Sequence, residues 1–258
     1  MAQGELSGRV AVVSGGGRGI GRGISEELGR AGATVAIVYH RDESAAQEAV
    51  AAIEAGGGTA SAHRAAVESF DDCQRLRDEV VAAHGPVDLL VSNAGIASRG
   101  RSIAKTEPEE MERLFGIHVM GAFHLAHLFV PLMRERPRGD VVMVSSVATR
   151  FNAGGGAPYN VAKSALESLA FTLAKEVQHH GIHVNVVAPG LVVSEMGRRL
   201  VKAGGVEDIG SLDPVAPFGH VCRPEDVGRV VLFLVSGLSS YVTGQRVEVD
   251  GGGMPGGR

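Results

Sequence analysis

The sequence predicts an α/β fold: one doubly wound domain whose central seven-stranded parallel sheet carries helices on both faces. Three observations predict it. Short β-branched runs alternate along the chain with longer stretches of helical period, and continuous apolar strands of that kind belong to parallel sheets covered on both sides. The length of 258 residues, 44% of them hydrophobic, suits a single domain over 1–258, since α/β units often run to about 250 residues. Glycine is in excess, 37 residues against 10 prolines, and no G-X-Y period points to collagen. The densest glycine cluster lies between the first strand and the first helix.

The elements follow in order. The first strand spans 10–13, and Ser14-Gly15-Gly16-Gly17-Arg18-Gly19-Ile20-Gly21 turns it into a helix over 20–30. A second strand over 34–39 precedes a helix over 45–55, with Asp42 and Glu43 placed where carboxylates cap free N–H groups. A weaker strand at 59–63 leads to a helix at 71–84, and a fourth strand, 87–91, leads through 98–103 to a long helix over 108–133. The fifth strand, 141–145, meets a glycine-rich loop and then a helix over 157–180, opened by Pro158, a favoured first-turn residue. After the sixth strand, 183–187, residues 191–217 lack clear periodicity, and a long irregular segment in such a domain reads as a lid or binding loop. A helix over 224–235 and a strand over 246–249 complete the set. Right-handed crossovers then put ligands at the carboxyl ends of the strands.

Composition excludes several functions. A net charge of −4 gives no basic footprint for nucleic acid. No apolar run reaches the ~18 residues of a membrane span. Glu5 and Arg9 stand where a signal peptide needs an apolar run, so a cytoplasmic protein is expected. Cys73 and Cys222 lie far apart without metal-ligand spacing around them and read as free thiols; no metal site is expected. Gly256 and Gly257 read as a fraying end.

Chemistry concentrates in two places. Gly15, Gly19 and Gly21 form G-x-x-x-G-x-G where a helix begins, so the backbone can approach a ligand and the helix N-terminus can meet phosphate. Tyr159 and Lys163, four apart on a helix, share one face. A phenol with pKa near 10 is a poor acid–base catalyst at neutral pH, and a neighbouring ammonium would lower that value. Ser146 precedes Tyr159 by thirteen residues.

With these motifs in this order, the chain resembles the short-chain dehydrogenase/reductase family, classical type, and within it the 3-oxoacyl-[acyl-carrier-protein] reductases, from about residue 7 to 253. The resemblance implies a Rossmann-type sandwich and a cofactor turn built by Ser14 (for the usual Thr), Gly15, Gly17, Arg18, Gly19, Ile20 and Gly21. Tyr39 stands where an acidic residue would hold the adenosine ribose; with His40, Arg41 and Arg18 nearby, NADP(H) is the expected cofactor and NAD(H) the alternative. Asn93, Ala94 and Gly95 resemble the N-N-A-G motif, with Ser92 departing from it. Ala66 replaces an adenine-binding Asp and leaves the main chain of Val67. Pro189, Gly190, Val192 and Ser194 match the segment that closes over the nicotinamide. The closing match is the T-G-x-x-x-x-V-D-G-G pattern from Thr243 to Gly252.

The resemblance also implies the catalytic roles. Ser146 polarises a carbonyl, Tyr159 transfers the proton, and Lys163 also binds the nicotinamide ribose. His118 replaces the family's Asn in a water relay; it keeps the backbone carbonyl and adds a ring titrating near neutrality. A ketone, such as a 3-oxoacyl thioester or polyketide-like carbonyl, and a secondary alcohol would then interconvert. The partners implied are a small molecule and further copies of the chain, as a homotetramer or homodimer, in keeping with the apolar Leu166, Leu169, Phe171 and Leu173. The alternative is a cofactor-binding sensor or scaffold that lost turnover through His118.

Overall fold

Residues 4–253 are described by a computed structural model, so the Gly256-Gly257 end lies outside the described residues. Seven strands form: β1 Val10–Ser14, β2 Thr34–Tyr39, β3 Thr59–Arg64, β4 Leu89–Ser92, β5 Gly139–Val144, β6 Ile182–Pro189 and β7 Arg246–Val249. All pair in parallel, in the order β3-β2-β1-β4-β5-β6-β7. β1, β4 and β5 are buried along their whole length, as continuous apolar runs demand. The edge strands β3 and β7 are only partly covered. Winding reverses between β1 and β4, which opens a crevice beyond their carboxyl ends.

The helices are α1 Gly19–Arg30, α2 Glu43–Ala55, α3 Phe70–His84, α4 Pro108–Phe115, α5 Gly121–Met133, a short α6 Ala148–Phe151, α7 Ala157–Val177, α8 Glu195–Ala203 and α9 Pro224–Val235. α1, α2 and α9 cover one face, burying Ile24, Leu28, Ile53 and Val231 against Val13 and Val35. α3, α5 and α7 cover the other, with Leu76, Phe129 and Leu166 against Val12 and Met143. Each burial of a side chain this size contributes about 1.5–3 kcal/mol.

Two segments differ from the sequence expectation. The helix over 108–133 is continuous but carries a π turn, Gly116–Met120, between α4 and α5; such a turn re-aims the side chains it holds, here His118. This helix has the length and apolarity of a membrane span, yet more than half of its apolar window is buried against the protein's own core. Residues 191–217 are not irregular throughout, because α8 and a 3-10 turn at Ile209–Val215 occupy them. α8 buries only Gly197 and leaves Met196 and Leu200 exposed. Its nine residues therefore carry no core-facing stripe long enough to read.

Candidate active site

The glycine turn forms the floor of the crevice. Gly15 N–H donates to the Val38 carbonyl at 2.8 Å, and its φ of +64° is a left-handed value that side chains resist. A Cβ at Gly21 would lie 2.1 Å from the Gly15 carbonyl oxygen, so only glycine lets α1 start this close to the turn. Among the described residues no side chain caps α1, and its first turn holds no carboxylate. Its leading N–H groups are therefore free for an anion, and the turn Gly15, Gly17, Gly19, Ile20 and Gly21 fits the pyrophosphate of a dinucleotide. Ser14 serves differently from a ligand contact. Fully buried, its Oγ accepts from the Asn93 and Ala94 N–H groups at 2.9 and 3.0 Å, while Asn93 Nδ2 donates to the Ser14 carbonyl at 2.9 Å. It ties the ends of β1 and β4 together beside Gly95.

At the far end of the crevice, β2 closes on a half-buried Tyr39, with His40 and Arg41 exposed beyond it. Register pairs Tyr39 with Arg64 on β3. Burial and Glu43 raise the Tyr39 phenol while Arg64 opposes the rise. Asp42 caps α2 through the Ala45 N–H at 3.2 Å, which keeps that carboxylate occupied. Arg18 reaches Glu195 at the start of α8 at 3.1 Å, an exposed pair. Val67 is buried, and its carbonyl already meets Cys73 Sγ at 3.4 Å and His124 Nδ1 at 3.1 Å, which leaves its N–H for a ligand.

The chemical centre sits where β5 ends. Lys163 Nζ is buried, donates to the Val144 carbonyl at 2.6 Å, and stands 5.8 Å from the Tyr159 ring centre. The Ser146 hydroxyl is close enough to Tyr159 to act on its phenol, and it accepts from the Ala148 N–H at 3.2 Å. Burial holds the Tyr159 phenol above its ordinary value, with the Ser146 hydrogen bond acting against it. The lowering expected from Lys163 is not seen in the free protein, where burial and the Ser146 hydroxyl set the phenol. It is Lys163 that moves toward neutrality: burial pushes it down to about 7, against the pull of Glu167.

His118 departs further from expectation. Its ring stands edge-on to Tyr159, with centroids 5.5 Å apart, and Gly95 makes room for it: a Cβ there would lie 2.4 Å from Cε1. Nε2 lies 2.9 Å from the Ile96 carbonyl and 3.2 Å from the Ile96 N–H, and one ring nitrogen serves only one of them. Nδ1 is buried without a partner among the described residues. Burial and the neighbouring Lys163 charge push the ring down to about 3, so it stays neutral instead of titrating near pH 7.

The third wall follows β6. Gly190 N–H donates to the Val249 carbonyl at 3.0 Å just past Pro189. Val192 does not line the crevice with its side chain, which is buried in the core beside Cys222. Ser194 caps α8 by accepting from the Gly197 N–H at 3.1 Å, and it sits against Gly19 of the glycine turn. Exposed Ile103, Phe151, Met196 and Leu200 follow the ends of β4, β5 and β6 and give the rim an apolar character. Cys73 and Cys222 are free, and burial pushes both thiols up to about 12, which makes them inert. Three residues escaped the sequence reading: Arg64, signalled only by the end of a weak strand, and Glu167 and Arg246, which meet near Ser146 across 79 positions.

Comparison with known proteins bears on this arrangement. A family model described as enoyl-(acyl carrier protein) reductase matches residues 15–253. A short chain dehydrogenase/reductase of Aspergillus aculeatus, AacuN, is 35% identical, covering 96% of each chain. Tetrahydroxynaphthalene reductase of Pyricularia oryzae is 34% identical over 96% of this chain and 90% of its own. A crystal structure of a short-chain type dehydrogenase/reductase from Mycobacterium marinum superposes with a TM-score of 0.87 at 29% identity, covering 96% of each chain.

Proposed function

The chain belongs to the short-chain dehydrogenase/reductase family and is an oxidoreductase, and on that premise we propose that it is an NADP(H)-preferring reductase of aromatic or polyketide-like ketones. The observation that carries the proposal is the convergence of Ser146, Tyr159 and buried Lys163 at the end of β5. When bound, the dihydronicotinamide supplies the hydride received by the carbonyl carbon. The chain does the rest. Ser146 donates a hydrogen bond to the carbonyl oxygen, and Tyr159 gives its proton to that oxygen as negative charge develops there, a step worth about 10²–10⁴-fold in rate. Lys163, held at about 7, is matched to returning a proton to Tyr159 near neutral pH. His118 stays neutral and packs the Tyr159 ring against the loop after β4.

Arg41, Arg18 and Arg64 offer guanidinium groups to a 2′-phosphate, and no carboxylate occupies position 39 to repel it. An aromatic substrate suits the apolar rim, and several relatives carry the name hydroxynaphthalene reductase or hydroxynaphthalene reductase-like protein. A sensor without turnover has no use for a lysine moved to neutrality beside two hydroxyls. The test is NADPH oxidation with a hydroxylated naphthalene, a tetralone, a β-keto thioester and an o-quinone, repeated with NADH. Turnover on an aromatic ketone with NADPH favoured is expected. Cofactor binding without turnover on all four would overturn the proposal.

A further inference from the structure

Glu167 lies one helical turn beyond Lys163, on the same face of α7, and nothing in the chemistry above uses it. Its Oε1 accepts three hydrogen bonds: from Ser145 Oγ at 2.5 Å, Thr149 Oγ1 at 2.9 Å and Arg246 Nε at 3.1 Å. Arg246, arriving from β7, also places Nη2 3.3 Å from the Ser146 carbonyl and 3.0 Å from Thr149 Oγ1. The single Thr149 proton goes to the carboxylate in preference to the Ser146 carbonyl at 3.0 Å, because charge-assisted bonds are the stronger. The guanidinium is then the donor that secures the Ser146 carbonyl. Arg246 pairs in turn with Glu248, which also meets Arg150 at 3.1 Å.

We infer that Glu167 and Arg246 are positioning residues for the proposed ketone reduction: they lock the Ser145-Ser146 turn from both sides and keep one balanced negative charge a helical turn from Lys163. This rests on the reading of Ser146, Tyr159 and Lys163 as the reacting set. Ser146 lies two residues past Val144, the last residue of β5 and the acceptor of Lys163, so the pair fixes the serine against both α7 residues at once.

The charges around Lys163 come from several elements. His118 on the π turn is neutral, Tyr159 on α7 is un-ionised, and Glu167 alone raises the Lys163 pKa. Behind Glu167 stand Arg246 and Glu248 of β7 and Arg150 of α6. The two carboxylates and two guanidiniums cancel. Removing Glu167 therefore leaves Lys163 facing a net positive charge, and removing Arg246 leaves it facing a net negative one.

The test is an NMR titration of the Lys163 side chain in the ligand-free protein, alongside kcat and KM for NADPH with a tetralone. Glu167→Gln is expected to move the Lys163 titration to lower pH by about one unit, with kcat reduced about tenfold or more and KM within about threefold. Arg246→Gln is expected to move it to higher pH. Loss of thermal stability with no titration shift in either variant, or shifts of the same sign, would overturn the inference. Should Glu167→Gln fail to fold, Ser145→Ala removes one arm of the clamp with charges intact; a severalfold fall in kcat at unchanged Lys163 pKa supports the clamp, and a wild-type kcat overturns it. Tyr159→Phe run in parallel separates the two readings. A dead Tyr159→Phe beside a normal Glu167→Gln sinks only the clamp, while an active Tyr159→Phe sinks the proposed chemistry itself.

Discussion

The two ends of the sheet treat buried charge in opposite ways. At the amino ends of the strands, Asp88 accepts the Val10 N–H at 2.8 Å and pairs with Arg136 at 2.7 Å. Asp140 pairs with Arg9 at 2.7 Å and Arg138 at 2.8 Å, and His183 Nδ1 stands 3.6 Å away. Burial pushes the Asp140 carboxyl up, and the two arginines hold against it. At the carboxyl ends, Lys163 is buried with a backbone carbonyl as its hydrogen-bond acceptor, and His118 Nδ1 has no partner among the described residues. The first end spends its charges on holding four strands in register. At the second, Lys163 and His118 are desolvated with no carboxylate bonded to either, and both are displaced far below their ordinary values, which is the mark of a functional site.

Breaking the amino end should disturb stability and spare chemistry. Asp140→Ala leaves two arginines facing an apolar gap and is expected to destabilise the fold by about 3–5 kcal/mol, read by urea unfolding, with kcat of the folded enzyme within about twofold. The carboxyl end should respond in reverse. Lys163 sits at about 7 in the fold against an ordinary 10.5, so the unfolded chain binds the extra proton and stability falls as pH drops from 10.5 to about 7. Lys163→Met removes that burden: unfolding measured across this range should show it more stable than wild type by about 1–2 kcal/mol near pH 7, the gain vanishing near pH 10.5 and turnover lost throughout.

Two smaller effects sharpen the contrast. Arg41→Asp is expected to shift the NADPH-to-NADH ratio of kcat/KM about tenfold toward NADH, with thermal stability unchanged. His118→Asn should leave kcat within about tenfold, since the ring is neutral and a carboxamide can serve both the Ile96 N–H and its carbonyl. It should also unfold at lower pH in acid. His118 binds its proton only at about 3 in the fold, so wild-type stability declines as pH falls from about 6.5 toward 3, a loss that the Asn variant escapes. An unchanged acid midpoint would contradict the placement of that ring.

Much of this was legible in the sequence because it is local. Seven strands, the glycine turn and the 159/163 pair each follow from spacing within a single element or turn. What stayed hidden depends on neighbours supplied by distant segments. Nothing in G-I-H-V-M announces a π turn, and nothing near His118 tells that the core around Ile96 and Gly95 would desolvate it below its usual range. The Tyr159 phenol was expected to be lowered by Lys163, yet burial dominates, and only the packed helix pair reveals that. Glu167 and Arg246 needed β7 to be laid along the end of α7's face. The helix α8 went unread because Met196 and Leu200 face outward and only Val201 packs inward, against the Ile209 cluster.

The central claim is that Tyr159 supplies the proton at the carboxyl end of the sheet. The most direct measurement is single-turnover NADPH oxidation by Tyr159→Phe at saturating tetralone, with thermal unfolding recorded on the same sample. A rate about 10²–10⁴-fold below wild type, with NADPH binding and unfolding temperature unchanged, is the result expected. A variant that oxidises NADPH at the wild-type rate would contradict the account.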